Sequence, residues 1–255
     1  MMTIPAFDEI EVTLIGTGGG YGESVVVHLG NQHWIVVDSC INPETKNPLP
    51  LEYLESIGVN VAKDVKLVLC THWHDDHIQG LSQILEAAES AIFSVTETGD
   101  REKFLQFIQI DYQKVRDIKE TSSTKELNQC LDLVVKRNTS VKSAVQDKIL
   151  LSDKPSDKMR YAVISLSPSD LVVEEYKREL GLLMDQYGQQ NRKVVINSPN
   201  DKSVVLYIEV GTVNILLGSD LEVSNSTQKG WKCILTNSQS ITGKASYSRF
   251  VFLTS

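Results

Sequence analysis

The stretch Thr71-His72-Trp73-His74-Asp75-Asp76-His77 constrains this chain more than any other, because three of its five histidines fall within seven residues. Just before it runs Val65-Lys66-Leu67-Val68-Leu69-Cys70, which has the length and composition of a buried strand. A strand that ends in His-x-His-x-Asp-His gathers imidazoles and carboxylates at one point of the chain. These are ligands that zinc prefers, at about 2.0–2.2 Å. Residues two apart in a tight loop can turn two rings toward one ion, and the Asp-His pair that follows faces a second ion beside it. The pattern argues for metal chemistry over a polar loop with coincident histidines.

The chain has 255 residues, 41% of them hydrophobic and 23% charged, an ordinary balance for a globular protein with one sizeable core. The formal net charge is −8 and no long basic run occurs, which argues against a large nucleic-acid footprint built on phosphate neutralisation. Cys40, Cys70, Cys130 and Cys233 lie far apart with no Cys-x-x-Cys, so neither a thiolate zinc site nor a thioredoxin-like motif is expected. Residues 1–10 lack a basic start and an apolar core, and no run approaches the length of a membrane span. The expected setting is cytoplasmic, without membrane association.

Along the chain, Glu11 to Ile15, Ser24 to Leu29 and His33 to Val37 read as strands, the last ending at Asp38. The glycines of Gly16-Thr17-Gly18-Gly19-Gly20-Tyr21-Gly22 lead into a strand, whereas a phosphate-binding loop needs a helix there. They are read as a turn between strands that rims a site. Leu51 to Ile57 reads as a short helix, Ile78 to Ala88 as a helix after the motif, and Ala91 to Val95 as a strand. Residues 101 to about 150 read as a helical insertion or lid, with Phe104, Ile108, Tyr112, Val115 and Ile118, then Leu127, Leu131, Val134 and Val135, at helical spacing. Tyr161 to Leu166 reads as a strand. Ser167-Pro168-Ser169-Asp170 reads as a helix start, with Ser167 as the cap and Pro168 at the first turn. The helix carries Val173, Tyr176, Leu180, Leu183, Met184 and Tyr187 on one face and stops near Gly188. Ser203 to Val210 and Val213 to Leu217 read as a hairpin closed by Gly218-Ser219-Asp220. His28 and His33 read as ordinary strand residues.

His72-x-His74-x-Asp76-His77 after a buried strand, Asp38 ending an earlier strand and Gly218-Ser219-Asp220 after a late one resemble, in order and spacing, the metallo-β-lactamase-fold hydrolases. The resemblance covers nearly the whole chain as a single domain, 1–255, and is weakest over 101–150. It implies an α/β fold, an αββα sandwich of two mixed β-sheets flanked by helices. It also implies that His72 and His74 bind a first metal, that Asp76 and His77 bind a second, and that Asp220 bridges both. Asp38 holds the motif loop from behind by hydrogen bonds, and Gly80 lets the following helix pack closely. Asp75 stands at a variable position and is not expected to ligate. Asp76 and Asp220 are the carboxylates nearest the chemistry. The implied cofactor is zinc, two ions, with manganese as an alternative.

Most relatives of this kind carry a further ligand histidine between the motif and the late aspartate, and no histidine follows His77 here. Asn200-Asp201-Lys202-Ser203 before a strand and Leu216-Leu217-Gly218-Ser219-Asp220-Leu221-Glu222 resemble the branch that includes the hydrolase-like domain of bacterial DNA-uptake channel proteins. There the last histidine comes from a loop after the following strand, and Arg249-Phe250-Val251-Phe252-Leu253 resembles that strand. The second sheet is therefore expected to be incomplete at its C-terminal side, through a truncated hydrolase or through a short form that works with a partner.

The implied activity is metal-dependent hydrolysis by metal-bound hydroxide, on the phosphodiester bonds of a nucleotide or single-stranded nucleic acid. The alternatives are a lactonase or esterase, and a metal-binding scaffold or regulatory subunit. In the last case the strand Ser248 to Leu253 forms an edge on which a protein partner docks by strand addition. A redox di-iron site is disfavoured, because that branch places a glutamate where His74 stands.

Overall fold

The computed structural model describes residues 3–18, 22–72, 74–97, 123–154, 159–187 and 199–249, with side chains omitted at 183–187 and 199. Among these residues, two mixed sheets face each other. The first has six strands in the order β1-β2-β3-β4-β5-β6: Glu11–Gly16, Glu23–His28, Trp34–Val37, Val65–Cys70, Ile92–Thr96 and Lys142–Ala144. β1, β2 and β3 are antiparallel, and β3 to β6 run parallel. The second has five strands, β7 Lys148–Asp153, β8 Tyr161–Ser165, β9 Leu206–Val210, β10 Val213–Leu217 and β11 Tyr247–Arg249, in the order β11-β10-β9-β8-β7. Only the β10–β11 pair in this sheet is parallel.

Side-chain alternation explains the layers. Val25 and Val27 of β2, Ile35 and Val37 of β3, and Leu67 and Leu69 of β4 share one core with Val163, Leu206, Ile208 and Ile215 of the second sheet. Their neighbours Val26, Val36 and Val68 point the other way, onto helices α1 Leu49–Ser56, α4 Leu81–Ala87 and α5 Ser123–Lys136. The outer face of the second sheet packs Ile164 and Tyr207 against Ile234 of α7, Gly230–Asn237. The result is the helix–sheet–sheet–helix order expected from the sequence.

The early strands, the hairpin through Gly211-Thr212 and the helix after the motif stand where the pattern predicts. That helix is broken into α3 Asp75–Ile78 and α4 by Gly80, which has φ +79°. A Cβ at Gly80 would lie 2.9 Å from Pro48 Cγ and 3.0 Å from Ile41 Cγ2, so only glycine admits this approach.

Two local expectations are corrected. The helix after β8, α6 Asp170–Tyr187, starts later than the Ser167 cap predicts. Ser169 sits at the cap and accepts from Val172 N at 3.5 Å. Ser167 Oγ instead donates to Ser203 O at 2.6 Å and accepts from Val205 N at 2.8 Å, so a distant loop claims it. On α6, Val173, Tyr176 and Leu180 are buried as expected. The side chains of Leu183, Met184 and Tyr187, and Gly188 itself, lie outside the described residues.

In the stretch from 101 to about 150, Leu127, Leu131 and Val134 are buried on α5, but Val135 is 65% exposed. The tail of that stretch is extended: β6 joins the first sheet and β7 starts the second. Three-residue β6 is held by its ladder to β5 and by Ser94 Oγ donating to Lys142 O at 2.7 Å. The helical spacing expected at Phe104 to Ile118 falls outside the described residues, as do Phe250 to Leu253. All four cysteines are buried and unbridged. Among the described residues, no helix is long and apolar enough to cross a membrane.

Candidate metal centre

β3 and β4 run side by side and end together, which brings Asp38 beside Thr71. Asp38 takes φ +59°, and its N–H donates to Leu69 O at 2.8 Å. Its carboxylate turns back beneath the motif loop. Oδ1 accepts from Thr71 N at 2.7 Å, and Oδ2 accepts from Thr71 Oγ1 at 2.6 Å and from His77 Nδ1 at 3.0 Å. Asp38 thus holds the loop from behind, and burial pushes its carboxyl above the usual range against the pull of His77 and Thr71.

The loop runs on into α3. His74 is the cap residue, and His77 completes the first turn with its N–H donating to His74 O at 3.0 Å. That turn carries the His77 ring back over the strand end, with its centroid 4.3 Å from that of His72. From the second sheet, Asp220 arrives just after β10. Its Oδ2 lies 3.3 Å from His77 Nε2 and 3.8 Å from His72 Nε2. Ligand atoms of His72, His77 and Asp220 all fall within 4.8 Å of one another, and all three residues are buried.

His74 and Asp76 lie at the solvent side of this cluster, with side chains 56% and 42% exposed. Their Nδ1 and Oδ1 atoms are 3.5 Å apart, and Asp76 Oδ2 is 3.8 Å from His77 Nε2. The tightest grouping therefore joins one residue from each expected pair, His72 and His77, around Asp220. His28 and His33 stand outside it: His28 is buried against Trp34, and His33 pairs with Tyr161.

The hydrogen bonds fix the chemistry of each ring. Thr71 Oγ1 gives its one proton to Asp38, so it meets His72 Nδ1 at 3.0 Å as an acceptor. His72 Nδ1 therefore carries the hydrogen, and Nε2 keeps its lone pair. Among the described residues, that Nε2 and Asp220 Oδ1 are buried without a hydrogen-bond partner. A cation between them would satisfy both buried acceptors, and neutral imidazole with carboxylate suits a divalent metal. These residues fit the metal that the motif implies.

Burial and the neighbouring His77 charge hold His72 neutral, its pKa lowered to about 3. Burial also opposes charge on His77, but Asp220 and Asp38 outweigh it and raise the imidazole pKa to about 11. Asp220 is likewise disfavoured by burial, yet its bond to His77 draws its carboxyl below the usual range. Without metal, a proton on His77 supplies the positive charge between two carboxylates. A divalent ion at Nε2 must displace that proton, so uptake near pH 7 should release roughly one proton per ion. Affinity should therefore rise with pH over the range in which metal-free His77 is protonated. Calorimetric titrations in buffers of different ionisation enthalpy check this; uptake without proton release would remove His77 from the ligand set.

Thr71 and Ser219 carry no role in the sequence reading, yet both touch the centre. Ser219 Oγ donates to Thr71 Oγ1 at 2.9 Å. Arg249 of β11 pairs with Glu23 of β2 at 2.5 Å and so ties the second sheet to the first beside the site. The one sequence signal for Thr71 and Ser219 is that each immediately precedes a ligand.

Residues 17–118 match the sequence model of the metallo-beta-lactamase superfamily. The two mixed sheets flanked by helices are consistent with the fold of that superfamily. Similar solved structures include MEM-A1, a subclass B3 metallo-beta-lactamase from a soil metagenome library, at 14% identity and TM-score 0.42, covering 84% of this chain and 61% of that one. The metallo-beta-lactamase fold protein YhfI from Bacillus subtilis is 13% identical with TM-score 0.42, covering 85% of this chain and 64% of that one. AidC, a dizinc quorum-quenching lactonase, is 12% identical with TM-score 0.39, covering 76% and 54%. The chain thus spans less than two thirds of the length of these structures. No curated protein matches it.

Proposed function

We propose that this chain is a metal-dependent hydrolase that acts on phosphodiester bonds of nucleotides or single-stranded nucleic acid. The observation that carries the hydrolase reading is the pair of unsatisfied buried acceptors, His72 Nε2 and Asp220 Oδ1, in a cluster supported from behind by Asp38. His72, His77 and Asp220 would hold the metal, with His74 and Asp76 completing a second position on the solvent side. Zinc or manganese, when bound, supplies Lewis acidity and a water activated near neutral pH.

The chain's own residues do the rest. Asp38 fixes the His77 ring by accepting from Nδ1, and Thr71 fixes the His72 tautomer. Burial of His72, His77 and Asp220 keeps bulk water from their inner faces. Asp76, half-exposed beside His77, is the carboxylate positioned to take or return a proton at the open side. The phosphodiester assignment rests on the resemblance of 200–203 and 216–222 to the DNA-uptake branch. The charge of −8 favours a small or single-stranded substrate over an extended duplex.

The test strips the protein with chelator, restores zinc or manganese, and assays bis(p-nitrophenyl) phosphate, an acyl-homoserine lactone and p-nitrophenyl acetate. Phosphodiester turnover that returns with metal and is lost in His72→Ala is the expected result. Turnover of lactone or ester alone moves the substrate to carboxylic esters. Metal uptake with no turnover of any of the three supports the scaffold reading.

A further inference from the structure

The two halves of the metal centre come from different sheets, and one hydroxyl pair joins them. Ser219 directly precedes Asp220 and holds φ +45°, a left-handed conformation that L side chains rarely adopt. Its backbone neighbour is tethered on one side, where Gly218 N donates to Arg249 O at 2.8 Å. Its own Oγ reaches across 148 positions of sequence to donate to Thr71 Oγ1 at 2.9 Å.

Thr71 Oγ1 is filled by what surrounds it. A hydroxyl has one proton and two lone pairs. The proton goes to Asp38 Oδ2 at 2.6 Å, one lone pair takes the Ser219 proton, and the other faces His72 Nδ1 at 3.0 Å. With Asp38 ionised, one proton arrangement satisfies all three contacts. By donating, Ser219 disfavours the reversed Thr71 rotor, which would set the Thr71 proton against its own and leave a lone pair facing Asp38, and His72 is left with hydrogen on Nδ1 and its lone pair on Nε2. The same bond holds the turn that aims Asp220 at His72 and His77.

We propose that the Ser219–Thr71 hydrogen bond is a clamp that positions the metal ligands, locking the Asp220 turn to the His72 strand and fixing the His72 tautomer. Ser219 and Thr71 are positioning residues and are not ligands themselves. The proposal rests on the metal reading of the cluster.

The experiment is a Co2+ titration of chelator-stripped protein, followed by visible absorption, with thermal unfolding of each metal-free variant as the control for folding. The wild type is titrated first; if it takes up no Co2+, the metal reading fails and the clamp with it. If it does bind, Ser219→Ala and Thr71→Val should each weaken Co2+ binding about 10–100-fold, the range for losing a partner that orients a metal ligand. The double variant should lose no more than the larger single loss, because the two hydroxyls act as one unit. Thr71→Ser, which keeps the hydroxyl, should bind within a few-fold of wild type. Ser219→Gly decides between clamp and backbone: glycine relieves the left-handed strain yet removes the hydroxyl, so the metal-free midpoint should hold or rise while Co2+ binding falls. Wild-type Co2+ affinity in Ser219→Gly and Ser219→Ala, or additive losses in the double variant, would overturn the clamp. If Thr71→Val does not fold, the Ser219 variants and Thr71→Ser decide the matter.

Discussion

Replacing Asp38 by alanine should lower the free energy of unfolding by about 3–5 kcal/mol, the cost of removing one partner from a buried charge pair. Asp38 accepts from Thr71 N, Thr71 Oγ1 and His77 Nδ1, all within the buried loop. Alanine leaves all three donors stranded, and His77 loses one of the two carboxylates that support its charge. Asp38→Asn is the gentler probe. Its amide keeps one acceptor and the shape, but not the charge facing His77. This variant should fold and bind metal about 10–100-fold more weakly. Urea denaturation of the metal-free proteins and competition with a chromophoric chelator separate the two effects. An Asp38→Asn variant with wild-type affinity would show that the carboxylate supports the loop without tuning the metal.

The second large effect is expected far from the ligands in sequence. Gly230 opens α7 at φ +59°, and a Cβ there would lie 2.3 Å from Glu222 O and 3.0 Å from Ser224 N. Both contacts are backbone, so the chain itself must move. Left-handed strain of about 1–2 kcal/mol and overpacking of about 1–3 kcal/mol combine to a loss of roughly 3 kcal/mol for Gly230→Ala. The displaced segment is the one that follows Asp220: Trp231 N donates to Glu222 O at 3.2 Å, and Trp231 Nε1 donates to Leu221 O at 2.7 Å. Metal affinity should therefore fall along with the unfolding midpoint. A fall in midpoint with unchanged affinity would show that the Asp220 turn is insulated from α7, as the Ser219 contact to Thr71 allows.

Much of this architecture is legible in the sequence because the strands that carry it have a clear period. Val25 and Val27 face one core while Val26 faces the other, and the same alternation runs through β3 and β4. β6 escapes that reading because a three-residue strand has no period of its own, and its extended form comes from the ladder to β5, while β7 is held by its ladder to β8. The Ser169 cap is displaced from Ser167 for a similar reason, since Ser167 is engaged by Ser203 and Val205.

The candidate centre divides in the same way. The motif spacing nominates His72, His74, Asp76 and His77, the resemblance adds Asp38 and Asp220, and the structure gathers His72, His77 and Asp220 over Asp38. Which histidine stands closest to which carboxylate depends on where α3 begins. A start at Asp75 leaves His74 at the exposed cap and turns His77 inward. The hydroxyls of Thr71 and Ser219 leave no such trace, because their contact joins two sheets and neither residue is an expected ligand.

The central claim is that His72, His77 and Asp220 form a metal site. It is tested most directly by elemental mass spectrometry of protein stripped with chelator, reloaded with zinc or manganese and desalted. The wild type should retain at least one ion per chain, and His72→Ala and Asp220→Ala should each retain far less while still folded. A wild type that retains no metal, or variants that retain as much as the wild type, would contradict the account.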